Sequence, residues 1–152
     1  GSLKNVIALA AGMADGLGYG DNTKAALITR GMFEMNKLAV TMGAKQETLN
    51  GLTGIGDLIV TCTSRHSRNH NAGVLIGKGY TMDEAMNEVK QVVEGVYSAK
   101  AAKKLAEKYQ VSMPIVSEIN EVLFGDLSAK DALANLLTRD RCEEYPNDPW
   151  QQ

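Results

Sequence analysis

Apolar residues recur at intervals of three and four positions along most of this chain, which is the spacing of one face of an α-helix. In residues 23–42 one such stripe is formed by Ala25, Ile28, Met32, Met35, Ala39 and Met42. Residues 3–14 are apolar nearly all round, which predicts a buried helix. The most strand-like run, QVVEGV, is too short to build a sheet. The pattern therefore predicts an all-α fold.

Turn and capping residues divide the pattern into segments. The stretch DGLGYGD should end the first helix, Asp21 or Asn22 should cap the second, and Gly43 should stop it. Further helices are predicted at residues 47–52, from 57, at 67–77, from 82, and at 96–109, 115–124 and 129–137. Thr81 and Ser128 are expected as N-caps and Pro114 in a first turn. These segments predict a single multi-helix domain.

The domain is expected to occupy residues 3–137. Residues 138–152 are polar, contain two prolines and are expected to form a loose extension, while residues 1–2 resemble a cloning remnant. The net charge of −2 gives no indication of nucleic-acid or membrane-surface binding. The longest non-polar run, residues 6–14, is shorter than the about 20 residues that span a bilayer. Cys62 and Cys142 are expected as reduced thiols of a cytosolic protein.

The segment GIGDLIVTCTSRHSRNH, residues 54–70, carries the densest group of chemically active side chains. His66 and His70 are four apart and would share a helix face, with Cys62 and Asp57 nearby. However, HSRNH lacks the glutamate of the HExxH zinc motif, and neighbouring arginines would repel a cation. No metal is therefore predicted. The basic stretch is also brief and has no interleaved aromatics, so it does not indicate nucleic-acid binding.

A phosphate site fits the same segment better. Ser67, Arg68 and Asn69 stand where a helix should begin, and free N–H groups at a helix start favour an anion. Arg68 can add a bidentate contact, while Ser67 and Asn69 offer further hydrogen bonds. Residue types alone leave open the simpler interpretation of an ordinary N-cap at Ser67 beside exposed arginines.

Lys4 and Asn5 are polar residues at the head of an otherwise apolar helix. An ammonium group in apolar surroundings is destabilised, which favours the neutral amine that can accept a proton. The alternative is a lysine whose charged end reaches solvent from the helix terminus. Asp57 likewise either caps its helix or orients a substrate hydroxyl or a lysine.

Three blocks together resemble a known family. LKNVIALAAGMADGLGYGDNTKAALITRG, GLTGIGDLIVTCTSRHSRN and VVEGV are similar to the C-terminal domain of NAD(P)-dependent glycerol-3-phosphate dehydrogenase, and the resemblance covers residues 3–137. It implies a fold similar to the C-terminal region of 6-phosphogluconate dehydrogenase. The family's N-terminal Rossmann domain has no counterpart here, since GLGYG and GLTGIG lack the GxGxxG spacing. These residues alone are therefore expected to be inactive.

The resemblance also implies roles for individual residues. Lys4 matches the catalytic lysine; the substrate-binding positions are matched by Asn5, Asp57, Thr61, Ser67, Arg68 and Asn69. Positions that contact NAD or NADP are matched by Arg68, Val92 and Glu94. The implied reaction interconverts sn-glycerol 3-phosphate and dihydroxyacetone phosphate in the cytoplasm and feeds glycerophospholipid synthesis. Nucleic-acid and membrane partners are not expected, and a homodimer is compatible with the family.

Two alternatives stay open from the sequence. A helical domain of another hydroxyacid dehydrogenase would share the fold without the SRN phosphate contacts. A non-enzymatic oligomerisation or binding module would need no Rossmann partner. Tests with several substrates, after addition of the N-terminal domain, separate these possibilities.

Overall fold

The computed structural model describes residues 2–43, 62, 64 and 66–143, with side chains described up to residue 138. These ranges contain seven α-helices: α1 (Ser2–Leu17), α2 (Asp21–Thr41), α3 (Arg68–Gly77), α4 (Met82–Val89), α5 (Glu94–Lys108), α6 (Pro114–Phe124) and α7 (Ala129–Glu143). No strand occurs in this part of the chain, which confirms the all-α prediction. The helices predicted at residues 47–52 and from 57 lie outside the described residues.

Helix α1 is the centre of the domain. It packs against α3 most extensively and also against α5, α2 and α6. Residues 6–11 are all buried, and Leu9 and Met13 are among the largest fully buried side chains. This confirms the prediction that the first helix is buried. Among the described helices, none combines the length and the hydropathy that a membrane span requires.

The buried face of α2 differs in part from the predicted stripe. Ile28 is buried as expected, but Ala25 and Met42 are exposed. The fully buried positions are Leu27, Ile28, Gly31, Glu34 and Leu38. Positions 27, 31, 34 and 38 keep helical spacing, but two of them are not large apolar residues. A search for apolar residues alone therefore missed this face.

Local capping chemistry fixes most helix starts as predicted. Thr81 forms a capping box with Glu84, Ser128 accepts from the Asp131 N–H, and Pro114 stands in the first turn of α6. The predicted cap of α2 was wrong. Gly20 occupies the N-cap with extended backbone and without a side-chain bond. Asp21 is instead the first helical residue, where a carboxylate still favours the positive end of the helix dipole.

Helix termini differ from the predictions by two residues or more at four places, one of which is the start of α2 at Asp21 and not at residue 23. α1 continues three residues beyond position 14 and stops before Gly18, whose φ of +87° suits glycine. α5 begins two residues before position 96. α7 continues from the predicted end at Leu137 to Glu143, so the first part of the expected loose extension is helical. Residues 138–143 contain no glycine or proline that would stop the helix.

Glu34 is a buried carboxylate that caps a different helix. Its side chain is 3% exposed, and its two oxygens accept from the backbone N–H of Ile115 at 3.1 and 2.9 Å. Ile115 lies in the first turn of α6, where N–H groups lack partners within the helix. The N-cap residue Met113 supplies no side-chain bond of its own. Glu34 therefore stabilises the start of α6 and fixes it against α2.

Four glycines let α1 and α3 approach each other backbone to backbone. A Cβ added to Gly12 would lie 2.2 Å from the carbonyl oxygen of His70, and one added to Gly73 would lie 2.3 Å from that of Leu9. Gly16 and Gly77 repeat the same contact further along the two helices. Small residues permit such close helix contacts in general. The relative position of α1 and α3 is therefore tightly constrained.

A polar network also joins α1, α2 and α3. Asp15 accepts from Lys24 at 3.0 Å, and His70 Nε2 lies 2.7 Å from the other Asp15 oxygen. Burial opposes ionisation of Asp15, but the hydrogen bonds and charges of His70 and Lys24 outweigh it and lower the pKa of Asp15. Asp15 is therefore held as a carboxylate that links the three helices.

Candidate functional site

An open cleft lies between the first turns of α3 and α5. Its volume is about 510 Å³, and it is lined by Ser64, His66, Ser67, Arg68, Asn69, Val92 and Glu94. Two segments separated by more than twenty residues in the chain thus meet at one surface. Five of the predicted site residues share this cleft.

The start of α3 supplies the basic and hydroxyl side of the cleft. Ser67 is the N-cap, and its Oγ accepts from the His70 N–H at 3.2 Å, which confirms the helix start predicted there. Arg68 and Asn69 are the first two helical residues, whose N–H groups have no partner within the helix. Arg68 is exposed, so its guanidinium is accessible from the cleft. The arrangement can bind an anion through backbone and side-chain donors together.

The start of α5 forms the opposite side and is linked to α3 and α1. The Gly95 N–H donates to Asn69 Oδ1 at 2.7 Å. Asn5 Nδ2 donates to Glu94 Oε2 at 3.5 Å, the outer limit of a hydrogen bond. Asn5 is thereby connected to the cleft through Glu94, although its side chain lies on α1.

Lys4 lies on the first turn of α1, next to Asn5 in sequence, and is half-buried. It is close enough to Cys62 to affect its ionisation. Burial raises the pKa of the Cys62 thiol to about 12, and the positive charge of Lys4 partly opposes this rise. Cys62 is a fully buried free thiol and therefore stays protonated at neutral pH. Lys4 is not among the residues that line the cleft. Asp57 and Thr61 lie outside the described residues.

The histidines occupy separate environments. His66 precedes α3 and is exposed, whereas His70 is buried in its first turn and bonded to Asp15. The expectation that they share a helix face was wrong, because the helix begins only at Arg68. Within the described ranges, no three His, Cys, Asp or Glu side chains are grouped as metal ligands would be.

Sequence reasoning did not predict that Ser64 and His66 line the cleft. A signal for them exists in the turn that leads into α3. The Ser67 N–H donates to the carbonyl of Ser64 at 3.1 Å, and the His66 N–H donates to Ser64 Oγ at 3.2 Å. A serine is typical of such a turn, because its hydroxyl can accept from the backbone N–H two residues later.

Comparison with known proteins identifies the family. The sequence model of the family described as NAD-dependent glycerol-3-phosphate dehydrogenase C-terminus matches residues 1–134 of this chain. A glycerol-3-phosphate dehydrogenase [NAD(P)+] of Agathobacter rectalis is 72% identical over 151 residues, which cover 99% of this chain and 45% of that protein. The corresponding Bacillus subtilis protein is 54% identical over 144 residues, which cover 95% of this chain and 42% of that protein. The chain thus spans less than half the length of these relatives.

Solved structures agree with the sequence comparison. The crystal structure of glycerol-3-phosphate dehydrogenase from Coxiella burnetii superposes with a TM-score of 0.86 at 44% identity, covering 90% of this chain and 42% of that one. The structure of DsGPDH of Dunaliella salina gives a TM-score of 0.72 at 26% identity, covering 87% and 27%. The all-helical domain described above therefore belongs to the family of C-terminal domains of NAD-dependent glycerol-3-phosphate dehydrogenases.

Proposed function

We propose that this chain is the substrate-binding and catalytic helical domain of an enzyme that interconverts sn-glycerol 3-phosphate and dihydroxyacetone phosphate with NAD or NADP. The cleft between the starts of α3 and α5 carries the proposal, because it brings the basic and polar residues at the start of α3 together with Val92 and Glu94. Such an enzyme would act in the cytoplasm and feed glycerophospholipid synthesis. We call the polypeptide in which these residues follow a dinucleotide-binding domain the full-length enzyme.

The substrate phosphate is assigned to the start of α3. Arg68 provides a charged, planar donor, and Ser67 and Asn69 flank it. Because the phosphate lies away from the reacting carbon, its binding energy positions that carbon without taking part in the chemistry. The exposed Arg68 and the helix dipole of α3 both favour a dianionic group.

Lys4 is assigned as the acid–base group. In alcohol oxidation, neutral Lys4 accepts the proton of the secondary hydroxyl, and in the reverse direction its ammonium protonates the carbonyl oxygen. Asn5 and Asp57 are assigned to hold the lysine and the substrate oxygens in line, and Thr61 is assigned to the substrate site. The close contact between α1 and α3 supports the assignment of proton transfer to Lys4 and phosphate binding to Arg68. It keeps the two residues on helices that are fixed to each other.

The cofactor contacts are assigned to Arg68, Val92 and Glu94. These residues would hold NAD or NADP, which would supply the hydride acceptor for the substrate carbon. Val92 is 60% exposed although it is apolar, so it offers a surface that a planar ring or ribose can cover. Glu94 is exposed at the start of α5 and can accept hydrogen bonds from hydroxyl groups.

Enzyme assays of this chain alone and of the full-length enzyme test the proposal. We expect the 152 residues alone to form no NAD(P)H from sn-glycerol 3-phosphate, because their glycine stretches lack the spacing of a dinucleotide cradle. The full-length enzyme should oxidise this substrate in preference to glycerol and to a hydroxyacid without phosphate. Turnover by the isolated chain, or preference for the unphosphorylated hydroxyacid, would contradict the proposal.

A further inference from the structure

The first turn of α5 is capped by a residue from another helix. Its own N-cap residue, Val93, makes no side-chain hydrogen bond to it. The Gly95 N–H is instead satisfied by Asn69 Oδ1 at 2.7 Å. A Cβ on Gly95 would lie 2.6 Å from this oxygen and 2.8 Å from Leu9 Cδ1, so the absence of a side chain is what permits the contact. The bond therefore fixes the start of α5 against the first turn of α3.

The same bond fixes which end of the Asn69 amide remains available. A backbone N–H can only donate, so its partner must be the carbonyl oxygen of the amide and not its nitrogen. The Nδ2 group, with its two donor hydrogens, is therefore the end of the amide that remains available to a ligand. Since Asn69 also lines the cleft, its free donors suit an anion. One amide thus presents a donor to the phosphate region and an acceptor to α5.

We infer that Asn69 is a positioning residue for the segment that contacts the dinucleotide, in addition to its role toward the substrate phosphate. By capping α5, Asn69 holds Glu94 and the preceding Val92 in the geometry that receives the cofactor. The inference rests on the proposed function, since it requires that Val92 and Glu94 contact NAD or NADP. Asn5 supports the same segment more weakly through its 3.5 Å bond to Glu94.

Two substitutions that keep the number of side-chain heavy atoms separate the acceptor from the donor. Asn69→Asp keeps an oxygen for the Gly95 N–H but removes the donors, whereas Asn69→Leu removes both. The dissociation constants of NADH and NADPH are measured by fluorescence titration of the full-length enzyme without substrate. Asn69→Leu should raise them by about 2- to 30-fold, the range expected from loss of one helix cap. Asn69→Asp should leave them near the wild-type value while raising KM for sn-glycerol 3-phosphate.

Glu94→Ala is the positive control, because it removes a proposed cofactor contact directly. Circular dichroism checks that each variant is folded. If Asn69→Leu does not fold, Asn69→Ala serves in the same comparison. If Asn69→Leu binds the cofactor with wild-type affinity while Glu94→Ala binds it more weakly, the positioning role of Asn69 is overturned. The assignment of this segment to the cofactor then still stands. Equal weakening in Asn69→Asp and Asn69→Leu would also overturn the positioning role, because the retained acceptor would then have no effect. Wild-type affinity in both Asn69→Leu and Glu94→Ala would instead refute the assignment of this segment to the cofactor.

Discussion

Lys4→Met in the full-length enzyme is expected to lower kcat by about 10²- to 10⁴-fold, the contribution of one general acid–base group. Methionine keeps an unbranched chain of similar volume but cannot accept or donate the proton. Since the proposed phosphate site is at the start of α3 and not at Lys4, KM for sn-glycerol 3-phosphate should change much less than kcat. The measurement is steady-state kinetics in both reaction directions, and both directions should lose activity because they share the same proton transfer.

Two controls distinguish a chemical role of Lys4 from a structural one. Lys78→Met makes the same chemical change at the exposed C-cap of α3, at the opposite end of that helix from Arg68, and should retain wild-type kcat. Lys4→Ala leaves space for a free amine, so added ethylamine should restore part of its activity. A kcat of Lys4→Met within about threefold of wild type would remove Lys4 from the acid–base role.

Gly73→Ala is expected to lower the free energy of unfolding by about 2–4 kcal/mol, at the upper end of the cost of overpacking. The added methyl would lie 2.3 Å from the carbonyl oxygen of Leu9, and backbone on both sides leaves no flexible group to yield. α1 and α3 would have to separate, although alanine alone would favour the helix by about 1 kcal/mol. Urea-induced unfolding of the variant and the wild type measures the difference.

Gly20→Ala is the matched control for this substitution. Gly20 has ordinary backbone angles, with φ of −83°, and no atoms lie within 4 Å of an added Cβ. The same change of residue type should therefore cost less than about 1 kcal/mol at this N-cap. A Gly73→Ala variant as stable as Gly20→Ala would contradict the close approach of α1 and α3.

The sequence predicted those helix starts whose capping group belongs to the same short segment. Thr81, Ser128 and Ser67 each accept from an N–H three residues later, so the signal is local and visible in the residue order. The caps supplied across the fold were not predictable in this way. Glu34 caps α6 from 81 residues away in sequence, and Asn69 caps α5 from 26 residues away.

The contact between α1 and α3 was missed for a related reason. Glycine within a helix is unfavourable by itself, so Gly12 and Gly73 gave no positive signal for packing. These glycines stabilise the fold only when the two helices are in contact. The apolar pattern of one helix does not show which other helix will pack against it. The same limit explains the missed face of α2, where Gly31 and Glu34 occupy buried positions.

Residue types made an anion site at the start of α3 a better fit than a metal or nucleic-acid site, but left an ordinary N-cap as an alternative. The local pattern had already made Lys4 an acid–base candidate, with a solvent-reaching lysine as the alternative. The resemblance to the dehydrogenase family then gave Lys4 the catalytic role, and it assigned roles to Val92 and Glu94 that no local pattern indicated. The structure adds that Ser67, Arg68, Asn69, Val92 and Glu94 line one cleft. These residues lie together only because α3 and α5 pack against α1. Short-range sequence patterns carry no information about that packing.

Kinetics of Arg68→Ala with phosphorylated and unphosphorylated substrates test most directly whether this cleft binds the substrate phosphate. A charge-assisted hydrogen bond contributes about 1.5–3 kcal/mol, so kcat/KM for sn-glycerol 3-phosphate should fall by about 10- to 100-fold, mainly through KM. Arg68→Lys should recover only part of the loss, since an ammonium group cannot present two parallel donors. Activity toward glycerol, which has no phosphate, should change much less. Equal losses with glycerol and sn-glycerol 3-phosphate would contradict the phosphate assignment and indicate that Arg68 acts on the cofactor or on the fold.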